Sequence, residues 1–399
     1  MGTSPEIEIP ETLEDWRRMA TQRQLENTTL YSEKLVSASK IGFDQFLLFR
    51  VIWKIHKANQ IVNLLDMKGW IKEAEKKLRS YQSWSTYCES VELPENRSRG
   101  SGEPSKATPE GNFAIVRHYQ REVRKTKSEV NPQAFDTPIA SRTRAKTNHA
   151  PVKQMARLGL DPFTTPTKNP NPSSSRQDDP FEDDSPNQTP STGPSPPTTI
   201  SREMEKFLYP PTKDEQIVNT ALIVFLNALT THFDFYSNWT LHRKPFVATF
   251  ENAQFEARTD GYLDSPGGKT RVLIEVKPVV RSQNFLPIQM QESAQMVAWI
   301  KSDNELAQRT NTTRFHISQD RHQVFVTVAE YGENYLKYLS ENKPSSSEDP
   351  SSFLTMNQYG PWDTSKKSSI KEIGTIILAI TLRAEREIKE EKKKEKKSV

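Results

Sequence analysis

The stretch "ARTDGYLDSPGGKTRVLIEVKP", Ala257 to Pro278, sets two runs of residues on either side of a Pro-Gly-Gly turn. A Gly-Gly pair suits a two-residue hairpin, because both central residues need positive φ. With Gly267 and Gly268 as the turn, Pro266 pairs with Lys269, and counting outward puts Asp260 opposite Glu275. Directly opposed residues share a face, with Cβ atoms about 4.5–5.5 Å apart. Lys277, two residues beyond Glu275, shares that face. Val272, Ile274 and Val276 take the other face, toward a core. A bulge would move this register.

Two opposed carboxylates repel each other unless a cation lies between them. Magnesium suits such a pair, since it takes one or two carboxylates, keeps waters and completes its shell with phosphate oxygens. An ion of this kind activates water and offsets charge during in-line attack on a phosphodiester, and a nearby ammonium adds to that offset. The bland reading is a solvated surface strand, on which Glu-x-Lys is common. What raises the chemical reading is the combination of acid, hairpin, acid and lysine on one face with apolar residues on the other.

Around this hairpin, residues 201–385 read as helix, three strands, helix, two strands and helix. The first helix is "KDEQIVNTALIVFLNALTTHF", with Glu215 in its first turn. "PIQMQESAQMVAWI" starts at Pro287, and "SSIKEIGTIILAITLRAERE" closes the order. This predicts an α+β fold, a mixed sheet covered by helices, able to fold by itself. Residues 386–399 read as a charged, frayed helical tail.

Residues 1–91 read as a helical region, either a small bundle or an arm for a protein partner. Thr12 and Asp15 make a capping pair. A second apolar pattern runs from Phe46 through Val51 and Trp53 to Leu65, and a third covers "GWIKEAEKKLRSYQSW". Residues 92–200 change character. The interval 161–200 holds ten of the 27 prolines and cannot bury enough apolar surface to offset its ordering entropy. We read 92–200 as a disordered linker. Its part 117–157 has ten Lys/Arg against three Asp/Glu, which suits either nucleic acid or nuclear import, or else a solvated linker.

The 399 residues carry a net charge of +4 and are 34% hydrophobic and 27% charged, a balance that argues against two full domains. The single cysteine, Cys88, allows no internal disulfide and suits a reducing compartment, nucleus or cytoplasm. No run is long enough to span a bilayer. Nucleotide-binding glycine loops, a nucleophile elbow and paired zinc cysteines are all missing. His316 and His322 flank Asp320 and read as turn and strand residues.

"RTDG", followed by "IEVK" beginning fourteen residues after the aspartate, resembles the PD-(D/E)XK nuclease superfamily. "EVKP", the helix "QESAQMVAWI", the hairpin "ISQDRHQVFVTVAEYG" and "YGPWDT" look most like the fungal proteins described as PD-(D/E)XK nuclease-like. The resemblance covers about residues 205–385 and departs from the family in having Thr259 where a proline often stands. It implies a restriction-endonuclease-like core and a Mg2+ (or Mn2+) site. Asp260 and Glu275 match the metal-binding acids, Lys277 the catalytic lysine, and Glu215 the position of an additional metal-linked acid. Gln291 and Gln295 lie where some members hold a glutamine beside the site, and i, i+4 spacing puts both on one helix face with Trp299. The implied function is metal-dependent hydrolysis of DNA. The competing expectation is an inactive scaffold with the nuclease fold, linked to a mobile element.

Overall fold

Thr12 opens the first helix as expected: its Oγ1 accepts from the Asp15 N–H at 3.1 Å and donates to the Asp15 carboxylate at 2.7 Å. The computed structural model describes residues 8–26, 28–64, 66–93, 109, 111–124, 212, 214–303, 313–341 and 349–398. The N-terminal part forms α1 (Leu13–Gln22), α2 (Phe43–Leu48), β1 (Val51–His56), α3 (Lys68–Arg79), α4 (Gln82–Ser90) and α5 (Asn112–Glu122). After these come α6 (Glu215–Thr230), β2 (Asn238–Thr240), β3 (Pro245–Phe250), β4 (Ala253–Arg258), β5 (Gly261–Ser265) and β6 (Lys269–Lys277). The chain ends with α7 (Phe285–Ser302), β7 (Thr313–Asp320), β8 (Gln323–Glu330), α8 (Glu333–Ser340), β9 (Leu354–Asp363) and α9 (Lys367–Ser398).

Seven strands form one mixed sheet in the order β1-β9-β8-β7-β6-β5-β2, and β3 with β4 makes a separate hairpin. The β1/β9 and β6/β7 pairs are parallel and the others antiparallel. Helices cover both faces. On one side Val272, Ile274 and Val276 of β6 pack with apolar residues of α3, α4, α5, α6 and α9. On the other, Leu273 packs with α1, α2, α7, α8 and the β3–β4 hairpin. Strand β6 is therefore buried on both faces, which explains its nearly continuous apolar run.

Two expectations about organisation are corrected. Residues 51–56 lie in a pattern read as helical, but they form β1 and pair with β9 from Val51–Leu354 to His56–Tyr359. A short apolar run buried on both sides has no periodicity that separates strand from helix. The helical N-terminal region is thus no appendage: it completes the sheet and belongs to one compact unit with residues 202–399. Within the expected linker, residues 112–122 form α5, which buries Phe113 and Val116 against the helical layer. The remainder of 92–200 lies outside the described residues, except 92, 93, 109, 111, 123 and 124. The tail expected at 386–399 continues α9 as one helix to Ser398.

Strand β9 had no counterpart among the expected elements. Pro361 argues against a ladder position, yet pairing with β1 stops at Tyr359 and the β8 ladder is irregular opposite Phe325. Gly360 and Pro361 sit in that irregularity, so no ladder N–H is lost. Cys88 is buried among apolar side chains. No helix among the described residues is long and apolar enough to cross a membrane.

Candidate active site

The hairpin turn is not the two-residue turn expected. Pro266, Gly267 and Gly268 form a three-residue 3-10 turn, with φ of 79° and 71° at the glycines. Ser265 pairs with Lys269, and Asp264 with Thr270. The register then shifts, because Leu263 pairs with Val272 and Arg271 is the extra residue. The longer turn and the bulge cancel. The ladder ends at Gly261–Ile274, and the Asp260 N–H donates to the Ile274 carbonyl at 3.0 Å. Asp260 thus reaches the end of the hairpin where Glu275 lies, though by a route that counting from the turn did not foresee.

Gly261 makes the next contact possible. A Cβ there would stand 2.5 Å from the Thr240 carbonyl oxygen and 3.2 Å from Ile223, so only glycine lets β2 and α6 come this close. From the other side, the Thr212 N–H donates to the Pro278 carbonyl at 2.9 Å. That bond fixes the chain ahead of α6 beside the end of β6. Asp214 caps α6 by accepting from the Gln216 N–H, and Glu215 follows it toward the carboxyl ends of β6 and β7. Clefts beyond strand carboxyl ends are favoured ligand sites in sheets with parallel strands.

Five of the six expected site residues meet there. Glu275 is 2% exposed and Asp260 4%. Glu275 Oε1 accepts from Lys277 Nζ and from Gln291 Nε2, both at 2.6 Å, and its Oε2 accepts from Gln295 Nε2 at 2.6 Å. Asp260 Oδ2 accepts from the Val276 N–H at 3.1 Å, and Oδ1 from Arg243 Nη2 at 2.5 Å. Glu215 stands further out, with Oε1 3.9 Å from the same Arg243 nitrogen. Trp299 does not join its two glutamines. It is buried one turn away, stacked under the Arg314 guanidinium and beside Phe246. Burial of Glu275 removes the reading of "EVK" as a solvated strand.

Some contributors escaped the sequence reading. Arg243 precedes β3 in "LHRKP", where three consecutive basic residues were the available signal. Asn219, one turn after Glu215, donates to the Asp260 carbonyl at 3.0 Å. His316, set aside as a strand residue, is fully buried, and its Nε2 lies 3.2 Å from Gln295 Oε1. Gln295 donates from its amide nitrogen to Glu275 and to the Arg258 carbonyl, so its oxygen must accept, and His316 donates from Nε2. Burial holds the His316 pKa down to about 3, which keeps it neutral. Beneath α7, Arg281 donates to Asp320, Glu292, Gln358 and Ser318. These buried bonds lock the start of α7 onto the sheet and so set the glutamines over Glu275.

Burial raises the Glu275 carboxyl to about 8, and the Asp260 charge adds to this against the pull of Lys277. Burial also raises Glu215, with Lys277 opposing and Asp260 adding. Burial alone would lower Lys277, but Glu275, Glu215 and Asp260 together push it well above the ordinary lysine value. With all three acids ionised, the carboxylates of Asp260, Glu275 and Glu215 outnumber the two cations, Arg243 and Lys277, by one formal charge. Hard carboxylate oxygens with a negative excess have the chemistry for a magnesium or manganese ion that keeps most of its waters. Among the described residues, no group of three or more His, Cys, Asp or Glu side chains is placed to cage a metal. Asp260 and Glu275, with Glu215 at the margin, are the carboxylates that could hold such an ion. His322 lies apart from the cluster, with its Nδ1 3.3 Å from Arg321. No family model matches this chain, and no curated protein matches it either.

Proposed function

We propose that the chain is a metal-dependent phosphodiesterase acting on DNA, built on a restriction-endonuclease-like core as the superfamily resemblance implies. The observation that carries this reading is the convergence of Asp260, Glu275 and Lys277, buried at one end of β6 and tied to the α7 glutamines. When bound, the ion supplies Lewis-acid polarisation of the phosphate and a more acidic water. Asp260 and Glu275 hold it. Lys277 orients the attacking water and offsets charge on the phosphate. Gln291 and Gln295 fix the Glu275 carboxylate, and His316 fixes Gln295.

Plasmid nicking by the purified chain, with and without magnesium, tests the reading. Cleavage should require the metal and should fall at least about a hundredfold in Glu275→Gln, as losing a transition-state electrostatic contact does. Lys277→Ala should suppress cleavage yet keep the magnesium-dependent rise in Tm. Nicking that persists in Glu275→Gln would place the chemistry elsewhere.

A second reading, a nuclease-fold scaffold without cleavage, has its own observation. Each of the two central carboxylates already has a protein cation, Arg243 on Asp260 and Lys277 on Glu275. A chain that shows neither magnesium-dependent stabilisation nor nicking would be this scaffold.

A further inference from the structure

Arg243 enters the cluster from the connection between β2 and β3, away from the sheet that supplies the acids. Its Nη2 bridges two of them, 2.5 Å from Asp260 Oδ1 and 3.9 Å from Glu215 Oε1. Asp260 Oδ2 is occupied by the Val276 N–H, which leaves Oδ1 as the oxygen that faces outward, and Arg243 holds it. The Arg243 side chain is 45% exposed. Among the described residues, its guanidinium makes no hydrogen bond other than the one to Asp260. Lys277 differs: it is 16% exposed and bound to Glu275. One cation of the site is thus built in, and the other stands at the rim with most of its donors unused.

Resting on the metal-dependent reading above, we propose that Arg243 is a displaceable counter-ion and phosphate clamp. While no divalent ion is bound, its guanidinium neutralises Asp260. A divalent ion that binds Asp260 and Glu275 must take the Oδ1 contact from it. The released fork then grips a phosphate of the nucleic acid. Each step has a physical reason. The Asp260 side chain is 6% exposed, so its charge must stay neutralised, which a divalent ion does; the departing guanidinium is 45% exposed and can be solvated. A guanidinium has a planar fork that matches two phosphate oxygens. The neighbouring Lys244 does not share this position: its Nζ donates to the Gly268 carbonyl at 2.6 Å, at the opposite end of the hairpin. The consequence is a coupling: metal binding frees Arg243 for phosphate, so each ligand strengthens the other by the same factor.

The experiment uses the full chain and two probes, magnesium alone and a short DNA duplex. Wild type, Arg243→Ala and Arg243→Lys are titrated with magnesium by thermal shift at constant ionic strength. The same three are titrated with fluorescent duplex by anisotropy, in a Lys277→Ala background to keep the DNA intact. Removal of the competitor should tighten magnesium binding about tenfold, the worth of one charge-assisted hydrogen bond. Arg243→Lys keeps a charge without the fork and should fall between. Magnesium should strengthen duplex binding when Arg243 is present and should lose most of that effect in Arg243→Ala. A residue with only a structural role would not make duplex affinity depend on metal in this way. Magnesium binding that is unchanged or weaker in Arg243→Ala overturns the inference and leaves the metal-dependent reading standing. No response to magnesium in any of the three proteins overturns that reading, and the inference with it.

Discussion

Glu275 is the residue on which the local stability and the proposed chemistry both turn. Three N–H donors converge on its carboxylate, from Lys277, Gln291 and Gln295, yet burial and the Asp260 charge raise its pKa to about 8. A carboxyl that is more basic when folded binds its proton more readily in the native state. Its contribution to stability is therefore present below the ordinary carboxyl pKa and is lost as the pH rises toward 8. Glu215 is shifted in the same direction, whereas the raised Lys277 loses its contribution only at far more alkaline pH. In metal-free buffer the Tm should fall between about pH 5 and 8, with a slope of at most about 1.4 kcal/mol per pH unit from Glu275. Glu275→Gln should flatten that slope, and magnesium should restore stability most at the alkaline end, where the carboxylate is free to bind it. Thermal melts across this range are the measurement. A slope that Glu275→Gln leaves unchanged would assign it to other groups.

At the scale of the element, the hairpin of β5 and β6 depends on how closely its neighbours approach. Gly261 follows Asp260 directly, and a methyl there would press on the Thr240 carbonyl oxygen and on Ile223. Gly261→Ala should cost about 1–3 kcal/mol, the usual range for overpacking a tight site. The displaced strand end should also weaken the magnesium-dependent rise in Tm, because Asp260 moves with it. Denaturant unfolding with and without magnesium measures both effects. A neutral substitution would mean that β2 yields without strain. Helix α7 makes the complementary point. Its i, i+4 spacing was enough to put Gln291 and Gln295 on one face, but that spacing also included Trp299, which the packing of Arg314 and Phe246 claims for the core.

For the molecule as a whole, the strand farthest from the hairpin in the chain completes the sheet. Trp53 of β1 is buried, and its Nε1 donates to Ser293 Oγ of α7 at 2.9 Å. The N-terminal part is thus bonded to the helix that carries the glutamines. A fragment of residues 201–385 should fail to give a cooperative melt, since it exposes the β9 edge and half of one core. In the full chain, Trp53→Ala should cost about 3–5 kcal/mol. Limited proteolysis and thermal melts of the fragment check the first expectation, and denaturant unfolding of Trp53→Ala the second. A fragment that melts as sharply as the full chain would show that β1 is dispensable.

Local chemistry in the sequence was sufficient for several features. Thr12 and Asp15 announced a cap, the glycines a turn, and the alternation of "RVLIEVK" a strand with Glu275 and Lys277 on one face. These are decided by neighbours within a few residues, so they can be read without the fold. The acid, acid and lysine grouping was legible for the same reason, because a hairpin relates residues that are close in the chain. Tertiary structure decided the rest. Only the assembled sheet turned 51–56 into a strand, since its partner β9 lies some three hundred residues later. Only packing against α7 buried Glu275 and drew Gln291, Gln295 and His316 around it. Only the approach of the β2–β3 connection put Arg243 on Asp260. The contacts that finish the site join segments that no local pattern connects, and their energies depend on burial that exists only after the whole chain has folded.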